Sequence, residues 1–176
     1  MILNGFSGGG AAALDARRLL EMRLVRLGEV FSAAGLPQAE KMPGRYRCLW
    51  LAGPEDGYIP GPLRRLKRRL AAGALFPWKG MAIAEAPGGG GVRGVNLLFR
   101  LEKGAEMFNF EPRVEPSVFD GGECLVFDYN VAGNNRLFRK LRDEVRIVNP
   151  NLFLGRGNIL IGGKPRFIAY FSIEPV

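Results

Sequence analysis

The run DEVRIVNPNLFLGRGNILIGGKPRFIAYFSIEP, residues 143–175, decides how this chain folds. Two apolar segments, 152–161 and 165–174, are joined by Gly162-Gly163-Lys164-Pro165, and a third, 143–148, reaches them through Asn149-Pro150-Asn151. Both linkers have turn chemistry, and the first is hairpin chemistry. Side chains alternate between two faces, as they do along a strand. Glu144, Arg146 and Val148 share one face of the first segment, and Val145 and Ile147 the other. In the second, Leu152, Leu154, Arg156, Asn158 and Leu160 oppose Phe153, Gly155, Gly157, Ile159 and Ile161. The stretch reads as the closing strands of an antiparallel sheet.

Period two extends backwards to Trp78. It predicts strands at 79–86, 93–102, 106–115 and 123–129, separated by the glycines 88–91, by Glu102-Lys103-Gly104 and by Asp120-Gly121-Gly122. A helical turn is expected within 134–142. With the short strand Arg45-Tyr46-Arg47-Cys48-Leu49-Trp50-Leu51, the tally is about eight, mostly consecutive and antiparallel. About eight such strands close into a barrel wide enough for packed side chains or one small ligand. The fold class is therefore mainly β with two helices.

Ahead of the barrel the period becomes helical. Leu20, Leu24, Leu27 and Phe31 predict one amphipathic helix over 15–34, stopped by Gly35 and Pro37. Residues 1–14 read as a loose Gly/Ala-rich arm. The segment 53–62, with three Pro and three Gly, is a loop. A second helix is expected over 63–72, opened by Pro62 and closed by Gly73. Its narrow stripe of Leu63, Leu66 and Leu70 is expected to hold it against the barrel. The organisation is thus an arm and helix over 1–43 and a barrel over 44–176, in a single globular domain.

Composition narrows the chemistry. Hydrophobic residues make up 47% and charged residues 24% of 176, as in ordinary globular proteins. There is no histidine, which removes Ser-His-Asp and Cys-His triads, the usual zinc sites and imidazole haem ligation. No metal or other cofactor is expected. Cys48 and Cys124 fit no metal spacing and read as buried thiols in a reducing, intracellular compartment. No run is long enough to span a bilayer as a helix, and the first residues lack a secretory pattern. A net charge of +8 favours an acidic partner: an anionic membrane surface, nucleic acid or an acidic protein face. No RNP-type motif or Gly-X-X-Gly RNA loop is present, which argues against sequence-specific nucleic-acid reading.

Gly44-Arg45-Tyr46 resembles the Gly-X-Trp start of lipocalin-like (calycin) barrels, with Tyr in place of Trp. Trp78-Lys79-Gly80, Asp120-Gly121-Gly122 before Leu125-Val126-Phe127-Asp128-Tyr129, and Asp143-Glu144-Val145-Arg146 leading to Leu152-Phe153-Leu154-Gly155 resemble a group of small lipocalin-like proteins. Arg156-Gly157-Asn158 is faintly similar to the end of plastid lipid-associated, fibrillin-type proteins. The resemblance spans about residues 44–174 and implies a barrel that holds an apolar or amphipathic small molecule.

Candidate ligand contacts follow from the strands. Arg113, Arg146 and Arg156 lie among apolar neighbours, where a guanidinium can bind a carboxylate or phosphate; the alternative is a structural ion pair at the rim, for instance of Arg146 or Arg156 with Asp128, Asp143 or Glu144. Phe99, Phe110, Phe127, Tyr129 and Tyr170 line a cavity if the barrel is hollow and form core if it is filled. Asp120, Asp128, Asp143 and Glu144 offer carboxylates for acid-base work, with Asp120 also explained as a turn residue. Arg64, Arg65, Lys67, Arg68 and Arg69, with Trp78 nearby, form a basic surface suited to an anionic membrane, RNA phosphates or an acidic partner. Three functions remain open. The chain is a non-catalytic binder of a lipid or pigment, an accessory subunit docking through its basic helix and arm, or a cofactor-free barrel isomerase or cyclase.

Overall fold

The computed structural model describes residues 14–71, 73, 76–102 and 104–176; most of the expected arm lies outside them. Eight strands form a closed antiparallel barrel: β1 (Gly44–Ala52), β2 (Trp78–Glu85), β3 (Val92–Leu98), β4 (Ala105–Pro116), β5 (Glu123–Asp128), β6 (Leu141–Asn149), β7 (Leu152–Ile161) and β8 (Lys164–Pro175). Each strand pairs with its sequence neighbours, and β1 closes on β8 through pairs such as Tyr46 with Pro175 and Trp50 with Phe171. The expected helical turn is a 3-10 turn at Phe138–Lys140.

The inward faces form one core with a contribution from every strand, for example Tyr46, Met81, Val92, Phe110, Phe127, Val145, Phe153 and Ile173. The rings fill much of the interior. Phe110 stacks on Phe127 at 4.4 Å between centroids, and Tyr46 meets Phe153 edge-on at 6.0 Å. Glycines make room for them: a Cβ on Gly94 would collide with the Phe110 ring, and one on Gly155 with the Phe171 ring. The barrel is therefore packed over most of its length.

Outside the barrel a second core joins Leu19, Leu27, Val30 and Phe31 to Leu51, Val126, Leu154 and Tyr170. The expected helix over 15–34 is two helices, α1 (Ala16–Glu21) and α2 (Leu24–Ala33). Met22 and Arg23 are extended, with ψ of 148° and 157°. The reason lies in the next helix, α3 (Gly61–Ala71). Arg68 donates to the carbonyls of Leu20 (2.7 Å) and Met22 (2.6 Å), which the break exposes, and its Nε lies 3.3 Å from Asp56.

That arrangement reverses the expected orientation of α3. Arg68 is 3% exposed, whereas Leu63, Leu66 and Leu70 are 58%, 55% and 63% exposed. The leucines do not hold the helix to the barrel, and Arg68 is not on the surface. Asp56 sits in a 3-10 turn (Pro54–Gly57) just before α3, buried and accepting from the Gly53 amide at 3.0 Å. A buried carboxylate demands a cationic partner, and this demand outweighs burial of a three-leucine stripe. Among the described residues, no helix is long and apolar enough to cross a membrane.

Candidate functional site

The interior packing stops short of one end. A cavity of about 280 Å³ lies there, walled by Trp50, Trp78, Phe108, Phe138 and Phe171, with Asn96, Tyr129 and Asp143 as its polar members. These residues come from the ends of β1, β3 and β5 and the starts of β2, β4, β6 and β8, so they ring one mouth. Phe108 stacks on Phe138 at 3.6 Å, which brings the 3-10 turn over the opening.

The polar groups form a directed chain. Trp78 Nε1 donates to Asn96 Oδ1 at 2.6 Å, Asn96 Nδ2 donates to the Tyr129 hydroxyl at 3.0 Å, and that hydroxyl donates to Asp143 Oδ2 at 3.0 Å. Period two dictates the outcome, because Asp143 stands on the inward face with Val145 and Ile147. Burial pushes its carboxyl up to about 7, against the Tyr129 hydrogen bond, which favours the charged form, while Glu144 adds repulsion. Asp143 is half-buried, and it lines the cavity. Burial also raises the Tyr129 hydroxyl well above its usual range, with Asp143 adding to it.

A pH dependence follows. A carboxyl whose folded value lies above its unfolded value, about 4, binds its proton more tightly in the native state. Its stabilising effect is full below pH 4 and is lost as pH rises towards 7. Asp143→Asn is therefore expected to raise Tm at pH 8 and to flatten stability between about pH 4 and 7. Thermal scans across that range check it; an unchanged slope would contradict this assignment.

No protein-family model matches the sequence, and no curated protein matches it. The chain aligns with the crystal structure of a protein from Thermomonospora curvata at a TM-score of 0.46 and 13% identity, over 88% of each chain.

The sequence-derived candidates fall in several places. Tyr129 and Trp78 line the cavity. Phe110 and Phe127 are packed below it, fully buried and stacked on each other. Phe99 is exposed beside the mouth with a φ of 69°. Arg113 is not among apolar neighbours: it is exposed and pairs with Glu111 (3.0 Å) and Asp128 (3.5 Å). Arg146 is buried on the outer wall against α2, held by Asp120, and has no access to the cavity.

Arg156 and Tyr170 lie in an outer groove of about 510 Å³ between α2 and the barrel. There the Arg156 guanidinium sits between the rings of Phe119 (4.9 Å) and Phe167 (4.8 Å), bonds to Asn158 and lies 4.0 Å from buried Glu144. Glu144 accepts from Ser117 Oγ and the Val118 amide, both at 2.7 Å. Arg156 thus serves as the counter-ion of a structural carboxylate. Of the basic helix residues, Lys67 pairs with Glu55 and lies 3.3 Å from Asp56, Arg68 is buried, Arg64 is partly buried, and Arg65 and Arg69 are exposed. Among the described residues, no group of three acidic, Cys or His residues could hold a metal.

Asn96 is not among the residues the sequence points to, whereas Trp78 is legible there both as a strand aromatic able to line a cavity and as a neighbour of the basic surface; the structure places it in the cavity wall. One signal exists for Asn96: it is a polar residue inside the apolar run Val95–Leu98 of β3.

Proposed function

We propose that the protein is a lipocalin-like binder of a compact apolar molecule carrying one hydrogen-bonding group. The observation behind this reading is the placement of Tyr129 and Asp143 at the polar end of an aromatic-walled cavity in the barrel mouth. Ligand pockets are mainly apolar with a few fixed polar groups, and span ~300–1,000 Å³. At about 280 Å³ the cavity suits a ring-bearing molecule better than a long-chain lipid or an extended pigment. A ligand hydroxyl would donate to the Asp143 carboxylate, while the aromatic rings cover its apolar body.

The test uses native mass spectrometry of protein purified from its source, together with titration by 2-naphthol, read by tryptophan fluorescence from Trp50 and Trp78. A retained small molecule and saturable quenching support the reading. An empty barrel with no quenching refutes it. Asp143→Leu removes the acceptor, and a hydrogen bond to a charged group contributes ~1.5–3 kcal/mol; binding of 2-naphthol should weaken by a factor of about ten or more.

A second reading, a cofactor-free isomerase or cyclase, draws on the same carboxyl. A group with a pKa near 7, in an apolar cavity and bonded to a tyrosine, is suited to moving a proton at neutral pH. Conversion of a bound molecule, rather than its unchanged recovery, would favour this reading.

A further inference from the structure

We infer that the mouth end of the barrel, led by α3, docks on an anionic phospholipid surface. This concerns a partner and stands on exposed residues, independently of what the cavity holds. Four connections leave the barrel at that end: 53–77, 99–104, 129–140 and 162–163. Exposed apolar side chains mark all four, namely Leu63, Leu66 and Leu70 in the first, Phe99 in the second, Leu137 in the third and Ile161 at the edge of the last.

Each has an exposed cation close by in sequence. Arg65 and Arg69 alternate with the leucines, Arg100 follows Phe99, Arg136 precedes Leu137, and Lys164 follows the final turn. The acids there are few: Glu55 and Asp56 are bound by Lys67 and Arg68, leaving Glu102. At the opposite end, the connections 86–91, 117–122 and 150–151 hold a single charged residue, Asp120, which is already bound to Arg146. That end also exposes Val118 and Phe119, at 45% each, but with no cation in the same connections; among the described residues of the connections, exposed apolar tips and exposed cations coincide at the mouth end.

The orientation of α3 adds to this. A helix packed on a globular core turns its apolar stripe inward; α3 buries Arg68 and presents its leucines to solvent. An anionic bilayer suits both features, because leucines enter the acyl boundary while neighbouring arginines reach the phosphates. Nucleic acid or an acidic protein face would answer the cations alone and leave the leucines in water. The site is also next to an opening. β1 pairs with β2 only as far as Arg47 with Gly80, so the last five residues of β1 (48–52) face β8 but not β2. The resulting cleft, lined by Cys48, Ala71, Trp78 and Phe99 among others, shares Trp78 with the cavity. The face that would meet lipid lies where an apolar ligand would enter.

Co-sedimentation of the full chain with vesicles tests this, comparing phosphatidylcholine alone with an equimolar phosphatidylcholine–phosphatidylglycerol mixture. Binding to the mixed vesicles should exceed binding to the neutral ones and should fall as salt rises. The variant Leu63→Gln/Leu66→Gln/Leu70→Gln should keep its Tm, since these side chains are already in water, yet partition about tenfold or more weakly. Arg65→Gln/Arg69→Gln/Arg100→Gln should lose about a hundredfold, at roughly a factor of five for each charge. Tyr129→Phe, which alters the cavity, should bind vesicles as the wild type does. Three outcomes would overturn the inference: equal partitioning by the leucine variant, a large fall in its Tm, or a wild type that ignores anionic vesicles and copurifies with an acidic protein or RNA.

Discussion

Asp120→Ala is expected to destabilise the protein by about 3–5 kcal/mol, because it strands a buried guanidinium. Arg146 Nη1 and Nη2 donate to the two Asp120 oxygens at 2.7 and 2.8 Å, Nη1 also to the Phe31 carbonyl, and Nε to the Glu123 carbonyl. The guanidinium lies 4.7 Å from the Phe31 ring centre. Asp120 further accepts from Ser32 Oγ at 2.6 Å, so one carboxylate ties α2, the β4–β5 connection and β6 together. Urea denaturation at pH 7 measures the loss. Adding Arg146→Met to Asp120→Ala should recover much of it, since the uncompensated charge is then gone. The Arg146 hydrogen bonds hold the Asp120 carboxyl down at about 2. A depressed carboxyl contributes stability that is complete above its unfolded value, near 4, and lost as pH falls through about 2. Wild type and Asp120→Ala should therefore converge in stability on acidification through that window.

Phe110→Ala should be comparably damaging, at ~3–5 kcal/mol for removal of a large buried ring. Phe110 is fully buried, stacks on Phe127 and pairs directly across the sheet from Gly94, whose missing side chain leaves room for the ring. Gly94→Val should also destabilise, because its methyls would occupy the space of the Phe110 ring. The two changes are complementary in volume. The double variant Gly94→Val/Phe110→Ala should lose less than the sum of the singles, and a double-mutant cycle reads the coupling. Strict additivity would mean that the ring and the glycine do not share that space.

Much of this architecture could be read from alternation alone. The strands between Trp78 and Pro175 lie within a few residues of where period two and the glycine connectors place them, because inward and outward positions differ so sharply in polarity. The break at Met22 was invisible, since Leu20, Leu24, Leu27 and Phe31 keep helical spacing across it. What causes it is a contact from Arg68, 46 residues away from Met22. The orientation of α3 was hidden for a related reason. A leucine stripe argues for an inward face, and only the burial of Asp56 in the preceding turn reverses it. The cavity was half legible. Tyr129 and Asp143 could be placed on strands, but their meeting depends on the stagger between β5 and β6, in which Asp143 stands opposite Phe127.

The helices over the outer wall have a consequence during synthesis. α1 packs on both β1 and β8, the two strands whose pairing closes the barrel. It thus clasps the seam between the first and last strands made. α1 and α2 are made before the strands, yet part of the surface they cover belongs to β8, the strand made after all the others of the barrel. Until Tyr170 and its neighbours emerge, Leu19, Leu27 and Phe31 lack part of their shelter from water. Closure joins residues more than a hundred positions apart and is the slow, high-contact-order event. Between the synthesis of α2 and that of β8 the nascent chain therefore carries an incompletely covered apolar helical pair, and a chaperone that recognises such pairs would find it there.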